Sequence, residues 1–154
     1  MILDDRLEFA DATAPVFSAA GSYLIGDVID TGIAGTSTQP NDLGAGDSLW
    51  LVIQVATTAT SGGSATGQFH LCSDAQAAIA TNGTATYHFS SGAIPVATLA
   101  AGYQVACVKL PAGTYERYVG IVQTTGTAAF TAGAVNAFLT NDPVQIRHYA
   151  DAVN

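Results

Sequence analysis

Val105-Ala106-Cys107-Val108-Lys109-Leu110-Pro111-Ala112-Gly113-Thr114-Tyr115-Glu116-Arg117-Tyr118-Val119-Gly120-Ile121-Val122 is the stretch that decides the fold class. Val105 to Leu110 is apolar and rich in β-branched residues, the composition of a pleated, half-buried strand. Pro111-Ala112-Gly113 cannot continue a ladder, because proline lacks an N–H and glycine lacks side-chain restraint. Arg117 to Gln123 is a second apolar run, and a third follows Gly126, from Ala132 to Thr140. The stretch reads as strand, tight turn, strand. Repeated runs of this kind, each ended by turn residues, predict an antiparallel all-β domain.

Working outward, Leu49 to Val55 is the clearest strand. Leu49, Leu51, Ile53 and Val55 share one face and Trp50, Val52 and Gln54 the other, so both faces are covered, one by the opposite sheet and the second by a loop or another subunit. Gln68 to Ser73 places Phe69 and Leu71 inward and His70 and Cys72 on the other side. Tyr23 to Asp30 is a further strand, while Asp11 to Ser22 reads as loop or edge strand. Asn82-Gly83 suits a type I′ turn, predicting a hairpin with arms near Ala78 to Thr81 and Thr84 to Ser90. The alternative there is a short helix over Asp74 to Ala80. Ile33 to Gly46 and the Thr/Ser/Gly-rich Thr57 to Gly67 read as loops. The total is about eight strands, enough for two four-stranded sheets.

The 154 residues suit one domain. Only 10% are charged, against about 25% in ordinary soluble domains. Solvated faces must therefore be built from Thr, Ser, Gln, Asn, Gly and Ala, which suits a β protein whose neutral faces are buried in an assembly. The net charge is −8, with only Arg6, Lys109, Arg117 and Arg147 basic. Such a surface repels phosphate, so no direct nucleic-acid contact is expected. No apolar run approaches the ~18–20 residues of a membrane span. Asp4, Asp5 and Glu8 stand where a signal peptide would be basic, so no secretory route is expected.

Chemical motifs are sparse. His70, His88 and His148 lack ligand spacing, and Cys72 and Cys107 lack C-x-x-C spacing. The cysteines read as thiols in a reducing cytosol, with a cross-strand disulfide as the alternative. Asp27, Asp30, Asp42 and Asp47 match no Ca²⁺ loop and read as turn formers. Glu116-Arg117 is the densest charge pair, and its alternation sends Arg117 to a partner across strands or between subunits. No nucleophile elbow, phosphate loop or catalytic carboxylate pair is present, so neither enzyme activity nor a cofactor nor a metal is expected. A carbohydrate-binding module on a virion or cell surface is the alternative function. It would need Tyr103, Tyr115, Tyr118 and Tyr149 to converge on one surface.

An ordered set of segments resembles a known family. Ala93-Ile94-Pro95-Val96-Ala97-Thr98-Leu99-Ala100-Ala101-Gly102-Tyr103, Leu110-Pro111-Ala112-Gly113, Glu116-Arg117-Tyr118 and Phe130-Thr131-Ala132-Gly133-Ala134-Val135-Asn136-Ala137-Phe138-Leu139-Thr140-Asn141-Asp142 look like the Bbp16-type capsid cement proteins of tailed bacteriophages. So do the opening Met1 to Phe9 and the central Gly46-Asp47-Ser48-Leu49-Trp50-Leu51-Val52-Ile53. The resemblance implies a jelly-roll sandwich on the outer surface of a virion head, assembled in the host bacterial cytoplasm. Its implied partners are a major capsid protein of the HK97-type fold and further copies of itself, as a homodimer or alternatively a trimer. The chain is then one domain over 1–154 with terminal arms at 1–10 and 143–154. The arms pack on their own sandwich or reach a neighbouring subunit or the shell. The residues expected at shell or subunit contacts are Ile2, Leu3, Leu7, Phe9, Arg117 and Tyr149.

Overall fold

The computed structural model describes residues 5–12, 19–32, 43 and 48–143. The described residues contain nine strands: β1 (Glu8–Ala10), β2 (Gly21–Asp30), β3 (Trp50–Ser61), β4 (Thr66–Asp74), β5 (Thr86–Ser90), β6 (Ile94–Pro95), β7 (Gln104–Lys109), β8 (Tyr118–Gly126) and β9 (Phe130–Thr140). One sheet has the order β1-β9-β3-β7 and the other β2-β8-β4-β5, with the two-residue β6 paired to β4. All ladders are antiparallel. The chain crosses from sheet to sheet at every connection except those joining β4, β5 and β6. With β6 set aside, the orders become 1-8-3-6 and 2-7-4-5, an eight-stranded jelly roll.

Alternation builds the core. Leu51, Ile53 and Val55 of β3 face Phe69 and Leu71 of β4, Val119 and Ile121 of β8, and Val135, Ala137 and Leu139 of β9 in one buried cluster. A second, smaller cluster lies on the outer face of the other sheet. There Cys72 and Val122 are roofed by Ile79 and Ala85 of the β4–β5 connection, with Leu24, Val28 and Tyr118 at its margin. Gly120 belongs to this arrangement, because a Cβ there would sit 2.7 Å from the Ile79 Cδ1. A loop of the same chain is thus the second cover of β4 and β8. On β3 the outward Val52 is also buried, between Cys107 and Phe138 on the flanking strands.

Several local expectations are corrected. The runs 105–110 and 117–123 do not pair with each other: β7 bonds to β3, and β8 bonds to β2 and β4. Their link crosses the sandwich, anchored by Tyr115, which is buried in the core and donates its hydroxyl to the Pro111 carbonyl at 2.9 Å. The turn at Asn82-Gly83 is real, with Gly83 at φ +89 and the Asn82 side chain accepting from the Thr84 amide. It interrupts a connection rather than joining two strands, and β5 pairs with β4 instead. No helix forms over Asp74 to Ala80; the Asp74 carboxylate accepts from the Gln76 and Ala80 amides and shapes an irregular loop. The Thr57 to Gly67 segment is mostly strand, since β3 runs to Ser61 and β4 starts at Thr66.

Apart from the two-residue β6, each edge strand carries a bulge. The register breaks between Glu8 and Ala10 of β1 and between Ile25 and Ile29 of β2. It also breaks where β5 passes from Phe89 to Tyr87 and where β7 passes from Ala106 to Gln104. In every case the surplus residue lies on the edge strand. The β2 bulge contains Gly26 at φ +66, where a Cβ would overlap the Phe9 carbonyl oxygen. Gly83 also has positive φ but faces open space. Gly26→Ala is therefore expected to lower stability by about 2 kcal/mol or more, and Gly83→Ala by about 1 kcal/mol. Urea denaturation of the two variants side by side measures the difference.

Candidate functional site

The described part of the N-terminal segment is docked. A 3₁₀ turn over Asp5–Leu7 leads into β1, and Phe9 is 1% exposed inside the main core. Leu7 is half-buried against the same core. Phe9 is thus a core residue of its own sandwich in this chain, and Leu7 a flanking one. Ile2, Leu3 and Tyr149 lie outside the described residues.

Arg117 immediately precedes β8, beside the end of β2. Its Nε and one terminal nitrogen donate to the two carboxylate oxygens of Asp30, each at 2.8 Å. Its predicted partner across strands is therefore Asp30. This fork is fixed from several sides. The Gly32 amide donates to Asp30 Oδ1, the Thr31 amide and hydroxyl both donate to the Arg117 carbonyl, and the guanidinium lies 4.9 Å over the Tyr118 ring. A Cβ at Gly32 would come within 2.7 Å of the Arg117 Nε, so glycine lets the chain pass this close. The bond to Arg117 is the main reason the Asp30 carboxyl is held below the usual carboxylate range, with the Gly32 amide second. The pair is solvent-exposed, so its role is orientation more than stability.

Asp30 also belongs to a groove between β1 and the β2 bulge. Arg6 and Glu8 line it with Asp27, Val28, Asp30 and Gly32. The β2 bulge turns Asp27 and Asp30 toward the N-terminal segment, and Gly26 allows the close approach of β1. With Arg117, five charged residues gather at this end of the molecule, in a chain that has only 4 basic and 12 acidic residues. Sequence reasoning identified Arg117 and missed the groove. The available signal was the spacing of charge: Asp4-Asp5-Arg6-x-Glu8 and Asp27-x-x-Asp30 are dense islands in a sparsely charged chain.

The histidines and cysteines fall into structural settings. His88 Nε2 lies 2.8 Å from the Ser73 hydroxyl, and its ring stacks on Tyr115 with centroids 3.7 Å apart. A serine–histidine pair invites a nucleophile reading, but Ser73 is fully buried and its oxygen already accepts the Glu116 amide at 3.1 Å. The pair ties β4 and β5 to the β7–β8 link. Cys72 and Cys107 are both free and sit on the outer faces of opposite sheets. Burial pushes the Cys72 thiol up to about 12. Among the described residues no three His, Cys, Asp or Glu side chains could hold a metal ion, and no helix is long and apolar enough to cross a membrane. Asp27 lines the groove and Asp30 is paired with Arg117, while Asp42 and Asp47 lie outside the described residues.

Among the described residues Tyr103, Tyr115 and Tyr118 do not converge on one surface. Tyr115 is buried, Tyr103 adjoins β7 in one sheet, and Tyr118 opens β8 in the other. Ser73→Ala leaves the Glu116 amide and the His88 ring without their shared partner and is expected to cost ~1–3 kcal/mol in a thermal or chemical melt. Cys72 is expected to resist alkylation in the folded protein at about pH 8 and to react once the chain is denatured, as peptide mass mapping would read.

No curated protein matches the chain. A family model described as Bbp16 matches residues 9–139, from Phe9 in β1 to Leu139 in β9. The match takes in all nine strands and most of the chain, which therefore belongs to the Bbp16 family.

Proposed function

We propose that the protein is a structural component of a virion. It binds the outer surface of a tailed-phage head and cements neighbouring major capsid subunits of the HK97-type fold, stabilising the expanded shell. It acts as a homo-oligomer, a dimer in preference to a trimer, and carries out no catalytic step. The observation that carries this reading is the family match across the whole jelly roll.

Physical features support it. The sandwich holds its own fold without drawing on chemistry at its surface: Ser73 and Cys72 are fully buried, and His88 is half-buried against Tyr115. The exposed parts of the described strands are largely Thr, Ser, Gly and Ala. Such faces pack against protein without the desolvation cost of burying charge. A cement works by many modest contacts at once, since copies on a symmetric lattice engage several subunits together. Charge gathered in the Arg6–Glu8–Asp27–Asp30–Arg117 region suits the setting of orientation against a partner. A net charge of −8 disfavours contact with the packaged genome. For the carbohydrate alternative, the two exposed large aromatics among the described residues, Tyr87 and Tyr103, sit at the margins of different sheets.

Co-sedimentation of the purified protein with expanded phage heads lacking it tests the proposal. The expected result is saturable binding at a fixed ratio to the shell protein. Arg117→Gln is expected to weaken binding by about tenfold, with the fold retained. Failure of the folded protein to bind either expanded or unexpanded heads would overturn the cement reading, and a glycan array would then test the alternative.

A further inference from the structure

Two histidines flank the one hairpin that stays within a sheet, and each is closed in by a tyrosine. His70 on β4 lies on the outer face, 7% exposed, with the Tyr87 ring of β5 stacked over it at 4.8 Å and 13°. Its Nδ1 is buried and has no hydrogen-bond partner. His88 on β5 stacks on Tyr115 and shares the Ser73 hydroxyl with the Glu116 amide. Both rings are thus held by contacts that suit a neutral imidazole. An imidazolium at position 70 would place an unpaired N–H in an enclosed site.

β5 is the shortest of the four strands in the β2-β8-β4-β5 order. It is an edge strand of five residues, joined on one side to β4 through a bulged ladder. Tyr87, the cover of His70, is itself 43% exposed. Solvating His70 therefore requires lifting β5, not opening the core between the sheets. The lift also withdraws His88 from Ser73 and Tyr115. The strand is pinned beyond its end by Ser91, whose amide donates to the Phe69 carbonyl and whose hydroxyl accepts from the Phe69 amide. Gly92 follows at φ +73, a hinge position that glycine occupies freely.

We propose that His70 and His88 form an acid-released latch, in which proton uptake frees β5 and its tyrosine from β4 while the rest of the jelly roll stays folded. The groups around His70 are the Tyr87 phenol, the Cys72 thiol two residues along β4, and the cross-strand neighbours Ser90 and Val122, all uncharged at neutral pH. Around His88 they are Tyr115 and Ser73, with Glu116 and Arg117 on the β7–β8 link and Asp74 on β4 as the charged groups of those elements; Arg117 is committed to Asp30 and Asp74 to the Ala80 and Gln76 amides. Burial lowers the pKa of both histidines from the ordinary 6.5. A histidine kept neutral when closed takes up a proton on opening, so the closed form is favoured above the open-state value and loses ground as pH falls below it.

Hydrogen exchange of the full chain, corrected for the intrinsic pH effect, tests the latch between about pH 7.5 and about pH 5. The expected result is a loss of about tenfold or more in protection over residues 86–90, with β3 and β9 holding theirs. His70→Phe keeps a ring under Tyr87 and removes the titration. It is expected to lower the slope of log protection against pH by about one proton, and His70→Gln serves as a second non-titrating variant if phenylalanine perturbs folding. Unchanged protection over 86–90, a loss shared equally by β3 and β9, or an undiminished slope in the His70 variants would overturn the proposal. The measurement does not involve phage heads, so it stands or falls apart from the cement reading.

Discussion

The register between β4 and β8 is the constraint on which the other features depend. Nine consecutive pairs run without a break from Thr66 opposite Gly126 to Asp74 opposite Tyr118. This ladder assigns Phe69, Leu71, Val119 and Ile121 to the interior and Cys72, Gly120 and Val122 to the outer face. A slip by one residue would send Leu71 under the outer loop and Cys72 into the interior, exchanging both faces at once. It would also part His70 from Tyr87 and move Tyr118 away from the end of β2, where Arg117 meets Asp30. The two central strands therefore position a core, a small outer cluster, a titratable hairpin and a charged groove through one set of backbone bonds.

Sparse charge shapes how this molecule meets others. With 16 formal charges in 154 residues, a concentration of five at one end is a directional feature on an otherwise sparsely charged body. The fork between Arg117 and Asp30 spans 87 residues of sequence and closes a gap between two connections. Its two parallel bonds hold the guanidinium plane, so the groove presents a defined pattern of donors and acceptors. A sparsely charged sandwich with one patterned end can tolerate many packing partners by area and still distinguish orientation by charge.

Much of the strand content was legible because the 2-residue period is a local property. Leu49 to Val55, Gln68 to Ser73 and Ala132 to Thr140 all lie within observed strands or their margins. Pairing is not local, and it is there that sequence reading stopped. Pro111-Ala112-Gly113 announces the end of a strand, but nothing in those residues tells whether the next run folds back beside the first or crosses to the other sheet. The burial of Tyr115 decides this, and a tyrosine near a turn reads equally well as exposed. The same limit hid the partner of Arg117 and the Ser73–His88 bond, whose members are distant or unremarkable in sequence. Phe9 was read within a terminal arm because three residues are too few to show alternation. Its place in the core depends on a glycine in β2 that admits the Phe9 backbone. The ordered resemblance supplied the jelly-roll topology, which periodicity alone does not specify.

The bulges on β1, β2, β5 and β7 have a consequence for crowding. A chain that is 49% hydrophobic and only 10% charged has few charged groups per unit of surface. At high local density, straight sheet edges on such a chain would template one another into cross-β stacks. A surplus residue on each edge twists the free amides and carbonyls out of line, so copies packed closely side by side cannot join their sheets. Contacts must then be made through faces and loops, where fit is specific. The irregular edges give a sparsely charged protein a resistance to aggregation that others obtain from lysine and glutamate.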